Sequence, residues 1–491
     1  MLVSPHRLLS LVLAATLLLS AATAEHWAVI VAGSKGYENY RHQSDACHAY
    51  HVVRRHGIPA ENVILMMYDD VASHRANPFP GKLFNKPTVE NGTDEVAVDV
   101  YKGCNVDYRG DDVTPDMFIN VLLGNSTATK GKKVLESTEK DRVFVNFVDH
   151  GARGFIVFPE GQELTSKRLA RALEKMHGAK KYKELVFYME ACESGSMFSN
   201  RFLSSINAYA TTAANGLESS WGTYCPPHDT VNGKFVGTCL GDLYSVNWME
   251  DSDLTDLSAE SISEQFKRVK HETNKSHVHQ FGSKPIQKEI VGNFQSNYDK
   301  GDAESSNTQD ASEVTKEPFP SLPQMPGRSS VKASSAVDVH DVELVIAFYN
   351  YLRASPGPDR RGLADDLVKQ IQVRERDDVL FENIHSIYFA RMQQPLLQTV
   401  HPEDFECHEQ VFRSFEAQCR PQMGDPDIGH GFTGYSLKYA GVLTDLCESG
   451  MSVAQIESIL KDACATSQSK PAEKQHLNNG AVFDPELILL G

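Results

Sequence analysis

The 491 residues carry 41% apolar and 23% charged side chains, which excludes a fibrous or wholly disordered chain and leaves room for two or three domains. Lys and Arg number 48 against 65 Asp and Glu, a net charge of −17. That balance argues against nucleic acid or an anionic membrane as the main partner, because phosphate binding needs clustered cations. The chain opens with Arg7, an apolar run from Leu8 through Leu19 and the small-x-small end Ala22-Thr23-Ala24. This is the pattern of a secretory signal peptide over 1–24. The run is too short for a bilayer span, and no later stretch approaches transmembrane length. A soluble product of the secretory or endolysosomal route, or a secreted one, is expected. Sequons at Asn91, Asn125 and Asn274 agree with glycosylation on that route.

From Trp27 to Phe281, short apolar runs alternate with amphipathic stretches. Trp27–Ala32, Val63–Met67, Val143–Val148 and Leu185–Met189 read as strands buried on both faces. Asp45–Arg55, Pro115–Leu123, Ser166–His177 and Glu260–Glu272 read as helices between them. This alternation implies an α/β domain over 25–282 with a mostly parallel sheet flanked by helices. In such sheets chemistry collects at the carboxyl ends of the strands. Residues 283–340 are rich in Ser, Pro and charge without apolar period, and read as an accessible linker. Helical patterns return over 341–491, at Val342–Leu352, Leu363–Ile371, Val379–Arg391, Val411–Cys419, Tyr435–Leu446 and Val453–Cys464. An all-helical domain follows.

Nine cysteines in an oxidising compartment leave at least one thiol free. Cys407, Cys419, Cys447 and Cys464 share the helical segment, where three pairings are possible. Cys225 and Cys239 flank a Pro-Pro turn and suit a local staple. Cys47, Cys104 and Cys192 remain as candidate free thiols. Cys47 sits at the apolar spacing of Ala46, Tyr50 and Val53 and reads as a core residue. Arg109-Gly-Asp111 reads as an ordinary loop turn. Neither His-x-x-x-His nor Cys-x-x-Cys spacing occurs, so no metal or other cofactor is expected.

Two strand ends draw the chemistry together. One apolar strand ends in Asp149-His150-Gly151 and another in Glu190-Ala-Cys192-Glu-Ser-Gly-Ser196. A cysteine nucleophile needs a nearby base and backbone N–H groups for the oxyanion. Adjacent parallel strands bring His150 and Cys192 within reach although 42 residues separate them. A turn-capping histidine and a buried cysteine is the bland alternative.

These blocks, with Asn39-Tyr-Arg-His-Gln43, Met67-Tyr-Asp-Asp70 and Leu240–Ser252, resemble the legumain family, the asparaginyl endopeptidases called vacuolar processing enzymes in plants. Ser220–Pro226 resembles the plant branch. The resemblance implies a caspase-like α/β fold and a C-terminal inhibitory prodomain, in a vacuole or lysosome. It makes Cys192 the nucleophile and His150 the acid/base. It assigns the oxyanion hole to the Gly151 and Cys192 N–H groups, and the orienting of the histidine to Asn39. It places Arg41, His42, Glu190, Ser219, Ser220 and Asp242 around the specificity pocket, and pairs Cys407 with Cys447 and Cys419 with Cys464. Three disulfides, the nucleophile and two buried thiols, Cys47 and Cys104, then account for all nine cysteines. Asp149 matches a family aspartate prone to succinimide formation.

An asparagine side chain offers one acceptor and one donor pair, so Arg41 serves its oxygen while Asp242 and Glu190 serve its nitrogen. The implied substrates are peptides and proteins with Asn at the cut, and Asp at low pH, when its repelled anion is protonated. The implied inhibitory partner is the chain's own prodomain. Activation is expected in the linker, at Asn293, Asn297, Asn307 or Asp338, the last standing where the plant family carries asparagine. Residues 341–491 hold 13 Lys and Arg against 23 Asp and Glu, so both parts of the chain are acidic. Global attraction therefore cannot dock the prodomain. Local contacts whose carboxylates protonate at about pH 4–5 are expected to release it. The alternatives are a peptide ligase resolving the same thioester with an amine, which the small Gly222 disfavours, and a non-catalytic protease-binding protein, which the intact dyad disfavours. The related transamidases carry a membrane anchor that is missing from this sequence.

Overall fold

Runs of Val, Ile, Leu and Phe uninterrupted by charge form strands that need cover on both faces. The computed structural model describes residues 24–90, 93–94, 96–297, 332–419 and 431–469. The expected signal peptide up to residue 23, Asn91 and Asn307 lie outside them. Five strands stand parallel in the order β5-β4-β3-β1-β2: β1 (His26–Ala32), β2 (Val63–Met66), β3 (Arg142–Val148), β4 (Glu184–Glu190) and β5 (Ala208–Thr212). β6 (Trp221–Thr223) and β7 (Gly241–Asp242) pair antiparallel outside this sheet, and β8 (His279–Gly282) closes it antiparallel to β5. A late strand, β9 (Val337–Asp338), pairs antiparallel with β6.

Helices cover both faces. α1 (Tyr40–Arg55) lies on one, and α2 (Pro115–Leu122) and α3 (Ser166–Gly178) on the other, each of the latter begun by a threonine side-chain cap. α4 (Leu243–Leu254) and α5 (Ile262–Glu272) share the face of α1, and α5 starts at a Ser261/Glu264 capping box. The chain stays on this body past residue 283: Val291 and Phe294 enter the core, and the Asn297 N–H donates to the His56 carbonyl at 3.0 Å. Asn293, expected in an accessible linker, is 2% exposed, because the short helix Gly292–Gln295 tucks it under the sheet.

The C-terminal part is helical as expected: α6 (Val342–Arg353), α7 (Pro358–Met392), α8 (Phe405–Cys419), α9 (Ala440–Glu448) and α10 (Val453–Ser469). Disulfides Cys407–Cys447 and Cys419–Cys464 tie α8 to α9 and α10. α7 joins two stretches read separately from sequence. The charged run between them holds neither Gly nor Pro, so nothing stops the helix. Among the described residues no helix is long and apolar enough to cross a membrane.

One cysteine expectation is corrected. Cys47 and Cys104 are not free thiols but a disulfide, which fastens α1 to the loop before α2. Cys225–Cys239 forms as expected, and Cys192 is the free cysteine among the described residues.

Candidate active site

β3 and β4 are paired so that Val148 faces Glu190, and the Asp149 N–H continues the ladder to the Glu190 carbonyl at 3.0 Å. His150 and Cys192 are therefore equivalent positions, each two residues past the matched pair. Their backbones touch closely at Gly151, where a Cβ would stand 2.8 Å from the Cys192 carbonyl oxygen. The His150 Nε2 lies 2.8 Å from Asn39 Oδ1, just ahead of α1. An acceptor oxygen there selects the Nε2–H tautomer and leaves Nδ1 as the ring's acceptor. Burial, helped by Arg41 and His340, pushes the imidazole well below its usual value. The Cys192 sulfur accepts the Ser220 N–H at 3.2 Å, with Ser220 Oγ 3.7 Å away. Burial, with the charges of Glu193 and Asp338, pushes its thiol well up. Both shifts favour the neutral form.

Beside the dyad, His42 stands edge-on to His150 with ring centroids 5.1 Å apart, and its Nδ1 lies 2.6 Å from Ser34 Oγ. Its two nitrogens approach Asp149 at 3.4 Å and Asp242 at 3.5 Å. Beyond it, the Arg41 Nε donates to Asp242 Oδ1 at 2.9 Å, both side chains 1% exposed. Glu190 Oε2 accepts both the N–H and the hydroxyl of Ser245, at 2.8 and 2.9 Å. The opposite atoms of this group are left over. Arg41 Nη2, Glu190 Oε1 and Asp242 Oδ2 are buried without a hydrogen-bond partner. Burial raises the Glu190 and Asp242 carboxyls, Glu190 also through the charge of Asp242, while Arg41 opposes both shifts. One donor and two acceptors held dry in this way await a polar group of the reverse pattern.

The helical part covers this end of the sheet. The antiparallel ribbon after Gly151 (Gly151–Ala152, Phe155–Phe158, Gln162–Thr165) shares a core with it, Phe155 packing edge-on to Phe412. Arg153 donates to Asp445 of α9 at 2.6 Å, and Gly441 makes room for the guanidinium, since a Cβ there would sit 2.3 Å from it. The Arg353 guanidinium of α6 makes two bonds to buried Asp229, at 2.9 and 2.6 Å. His401 Nδ1 lies 3.3 Å from the Ser196 carbonyl oxygen. β9 lies along β6: Asp338 faces Trp221, and the Val339 N–H donates to the Ser220 carbonyl at 3.3 Å. The Asp338 carboxylate accepts the His340 N–H at 2.9 Å, and the His340 Nδ1 also lies 3.1 Å from Ser219 Oγ.

Residues 26–297 match the peptidase C13 family, and residues 365–464 match the legumain prodomain. The chain belongs to the peptidase C13 family. It is 36% identical over 460 residues to the vacuolar-processing enzyme delta-isozyme of Arabidopsis thaliana, covering 91% of each chain. It is 38% identical over 450 residues to legumain of Mus musculus, covering 90% of this chain and 92% of that one. It is 36% identical over 438 residues to hemoglobinase of Schistosoma japonicum, covering 89% and 92%. The resemblance read from the motifs is therefore borne out, and so is the expected architecture. The C13 chain is a cysteine endopeptidase with a C-terminal prodomain, and its partners are peptide substrates and that prodomain.

Within this peptidase C13 chain, the structure gathers Asn39, Arg41, His42, His150, Gly151, Glu190, Cys192, Ser220 and Asp242 at one sheet end. Ser219 faces His340 instead of the leftover atoms. Asn125 and Asn274 are exposed, as is Asn297, whereas Asn293 is not. Sequence reasoning missed four contributors: Ser34, Ser245, Arg153 and Asp445. Ser245 lies inside the Leu240–Ser252 block and was findable there. Arg153 and Asp445 are 292 residues apart, and although Arg153 ends a marked strand-end segment, no local pattern reveals their pairing.

Proposed function

We propose that the chain is a zymogen of an endopeptidase that cuts after asparagine, with Cys192 as nucleophile and His150 as base and acid. His150 Nδ1 takes the thiol proton, and the thiolate attacks the substrate carbonyl carbon. The oxyanion takes hydrogen bonds from the Gly151 and Cys192 N–H groups, and His150 returns its proton to the leaving amine. Water, deprotonated by His150, then hydrolyses the thioester and frees the thiol.

The observation that carries the specificity is the leftover trio. A carboxamide gives its oxygen to Arg41 Nη2 and its N–H bonds to Glu190 Oε1 and Asp242 Oδ2, which pairs all three buried atoms. An aspartate anion is repelled by the two carboxylates, so cutting after Asp belongs to acid pH. Asp338 fits that rule. Its backbone lies along β6 as a substrate strand would, while its carboxylate stays on His340.

Latency comes from the covering helices, and acid removes it. Burial holds His150 well below 6.5 when covered, so the uncovered state binds its proton more readily. Release is therefore favoured as pH falls through about 6.5. The groups around that ring are Arg41, His42, Asp149, Cys192, Asp338 and His340. Burial opposes ionisation of Asp338, but hydrogen bonds from His340 and Ser219 outweigh it and hold the carboxyl below its usual range. Its support for docking is present above that range and lost as pH falls through the lowered value. Asp445 acts in the opposite sense. Burial outweighs Arg153 and raises its carboxyl, so protonation there favours the docked form. The general expectation that contact carboxylates release the prodomain thus narrows to Asp338, with His150 added. Such a switch suits a vacuolar or lysosomal enzyme delivered by the signal peptide at 1–24. The catalytic part is then 25 to about 297, and the prodomain follows residue 340.

Incubating full-length protein across pH 4–7 and sequencing the new C-termini by mass spectrometry tests this reading. Cleavage after Asp338 or Asn297 is expected in the wild type alone. Equal trimming of Cys192→Ala would refute self-processing.

A further inference from the structure

The stretch leading into Asp338 is held along β6 for several residues, not only at the cut. Ser335 accepts the Tyr224 N–H through Oγ at 3.0 Å, and Thr223 Oγ1 donates to the Lys332 carbonyl at 2.7 Å. Residues 332–335 make a turn, and the Lys332 side chain then enters the body of the protein, 5% exposed. Its Nζ donates to Glu250 Oε2 at 2.8 Å and to Glu272 Oε2 at 3.3 Å. Glu250, on α4, is 2% exposed and is oriented by the Tyr224 hydroxyl, which donates to its other oxygen at 2.9 Å. Glu272 ends α5. Both carboxylates belong to the catalytic body, and the ammonium belongs to a segment in line with the residue to be cut.

A buried ammonium is tolerated only where carboxylates offset its lost hydration, and removing one partner of such a set is costly. We infer that Glu250 and Glu272 form a cation subsite that reads a lysine six residues before the cut residue in a substrate, the spacing from Lys332 to Asp338. The preferred substrates are flexible segments able to turn at that spacing, with an ammonium at the start of the turn. The inference rests on the reading above that β9 lies in the substrate groove. When the chain is cut after Asp338, Lys332 stays covalently joined to the catalytic side of the cut. The retained tail then competes for the subsite at the high effective concentration of a tethered ligand.

The test uses acid-activated full-length protein carrying Lys332→Met, so that the tail does not compete. Three substrates are compared: a copy of residues 331–341 with Asn at position 338, the same peptide with norleucine in place of lysine, and a short substrate, a tripeptide whose C-terminal Asn is amide-linked to a fluorogenic amine leaving group, that does not reach the subsite. The lysine peptide is expected to exceed the norleucine peptide roughly tenfold in kcat/KM, mainly through KM. Adding Glu272→Gln, or separately Glu250→Gln, should bring that ratio toward one. Equal rates for the two long peptides would overturn the subsite, as would a lysine preference that both glutamine variants leave intact. If the tripeptide is not cut, the asparaginyl reading fails, and the subsite that rests on it falls too.

Discussion

At the scale of residues, the site is marked by buried atoms left without hydrogen-bond partners. Cys192→Ala is expected to abolish peptide cleavage, and His150→Ala to come within about tenfold of that loss. The double variant should be no worse than the single, because the two groups act as one unit. kcat/KM per mole of folded protein measures all three. Arg41→Ala should lower kcat/KM for Asn substrates by roughly two orders of magnitude, since it strands both the substrate oxygen and Asp242. Glu190→Gln and Asp242→Asn should also raise cutting after Asp relative to Asn at neutral pH, by roughly tenfold, since each removes a repelling carboxylate. A merely structural role would not move that ratio. His150 and Cys192 were legible from sequence because they end two apolar strands, whereas the pocket residues were legible only through the blocks that carry the family resemblance. Ser34 and Arg153 lie in the strand-end segments Gly33–Ser44 and Asp149–Arg153 that the sheet rule marks, but nothing in sequence singles out a lone serine or a lone arginine within them.

At the scale of elements, what sequence reveals follows from how each element is buried. β1 and β3 are covered on both faces and read as apolar runs. α4 carries no apolar stripe, being buried from Leu243 through Ser252, so no helical period marks it. Cys47 was placed in the core by its spacing on α1. Its partner Cys104 lies 57 residues on in a loop, which spacing along a helix does not reveal. Replacing both by alanine should lower stability by about 2–4 kcal/mol through the freed loop. Denaturant unfolding in a Cys192→Ala background, where no self-cleavage intervenes, reads that loss. At the docking face, Asp445→Ala leaves Arg153 buried without its carboxylate, a loss of about 3–5 kcal/mol for a buried pair. The pH of half-maximal self-processing should then move upward, and an unchanged midpoint would remove this pair from the latch.

At the scale of the whole molecule, two acidic halves are joined by specific contacts, not by global attraction. The net charge of −17 made that necessary, and the Arg153–Asp445 and Arg353–Asp229 pairs, the shared core at Phe155 and the pairing of β9 with β6 are the contacts that serve. The division into an α/β part and a helical part was readable from the change in pattern, but its seam was not. Residues 283–297 look like linker in composition, yet Val291 and Phe294 reach the core because two apolar side chains suffice to anchor a short helix. The central claim is that a pocket of Arg41, Glu190 and Asp242 selects asparagine for attack by Cys192. Its most direct test is the rate of cleavage of otherwise identical peptides carrying Asn, Asp or Gln at the cut position, measured from pH 4 to 7 on acid-activated protein. Asn is expected to be cut throughout the range where the enzyme is active, Asp only toward the acid end, and Gln poorly at every pH. Asp cut as fast as Asn at neutral pH, or no preference among the three, would contradict it.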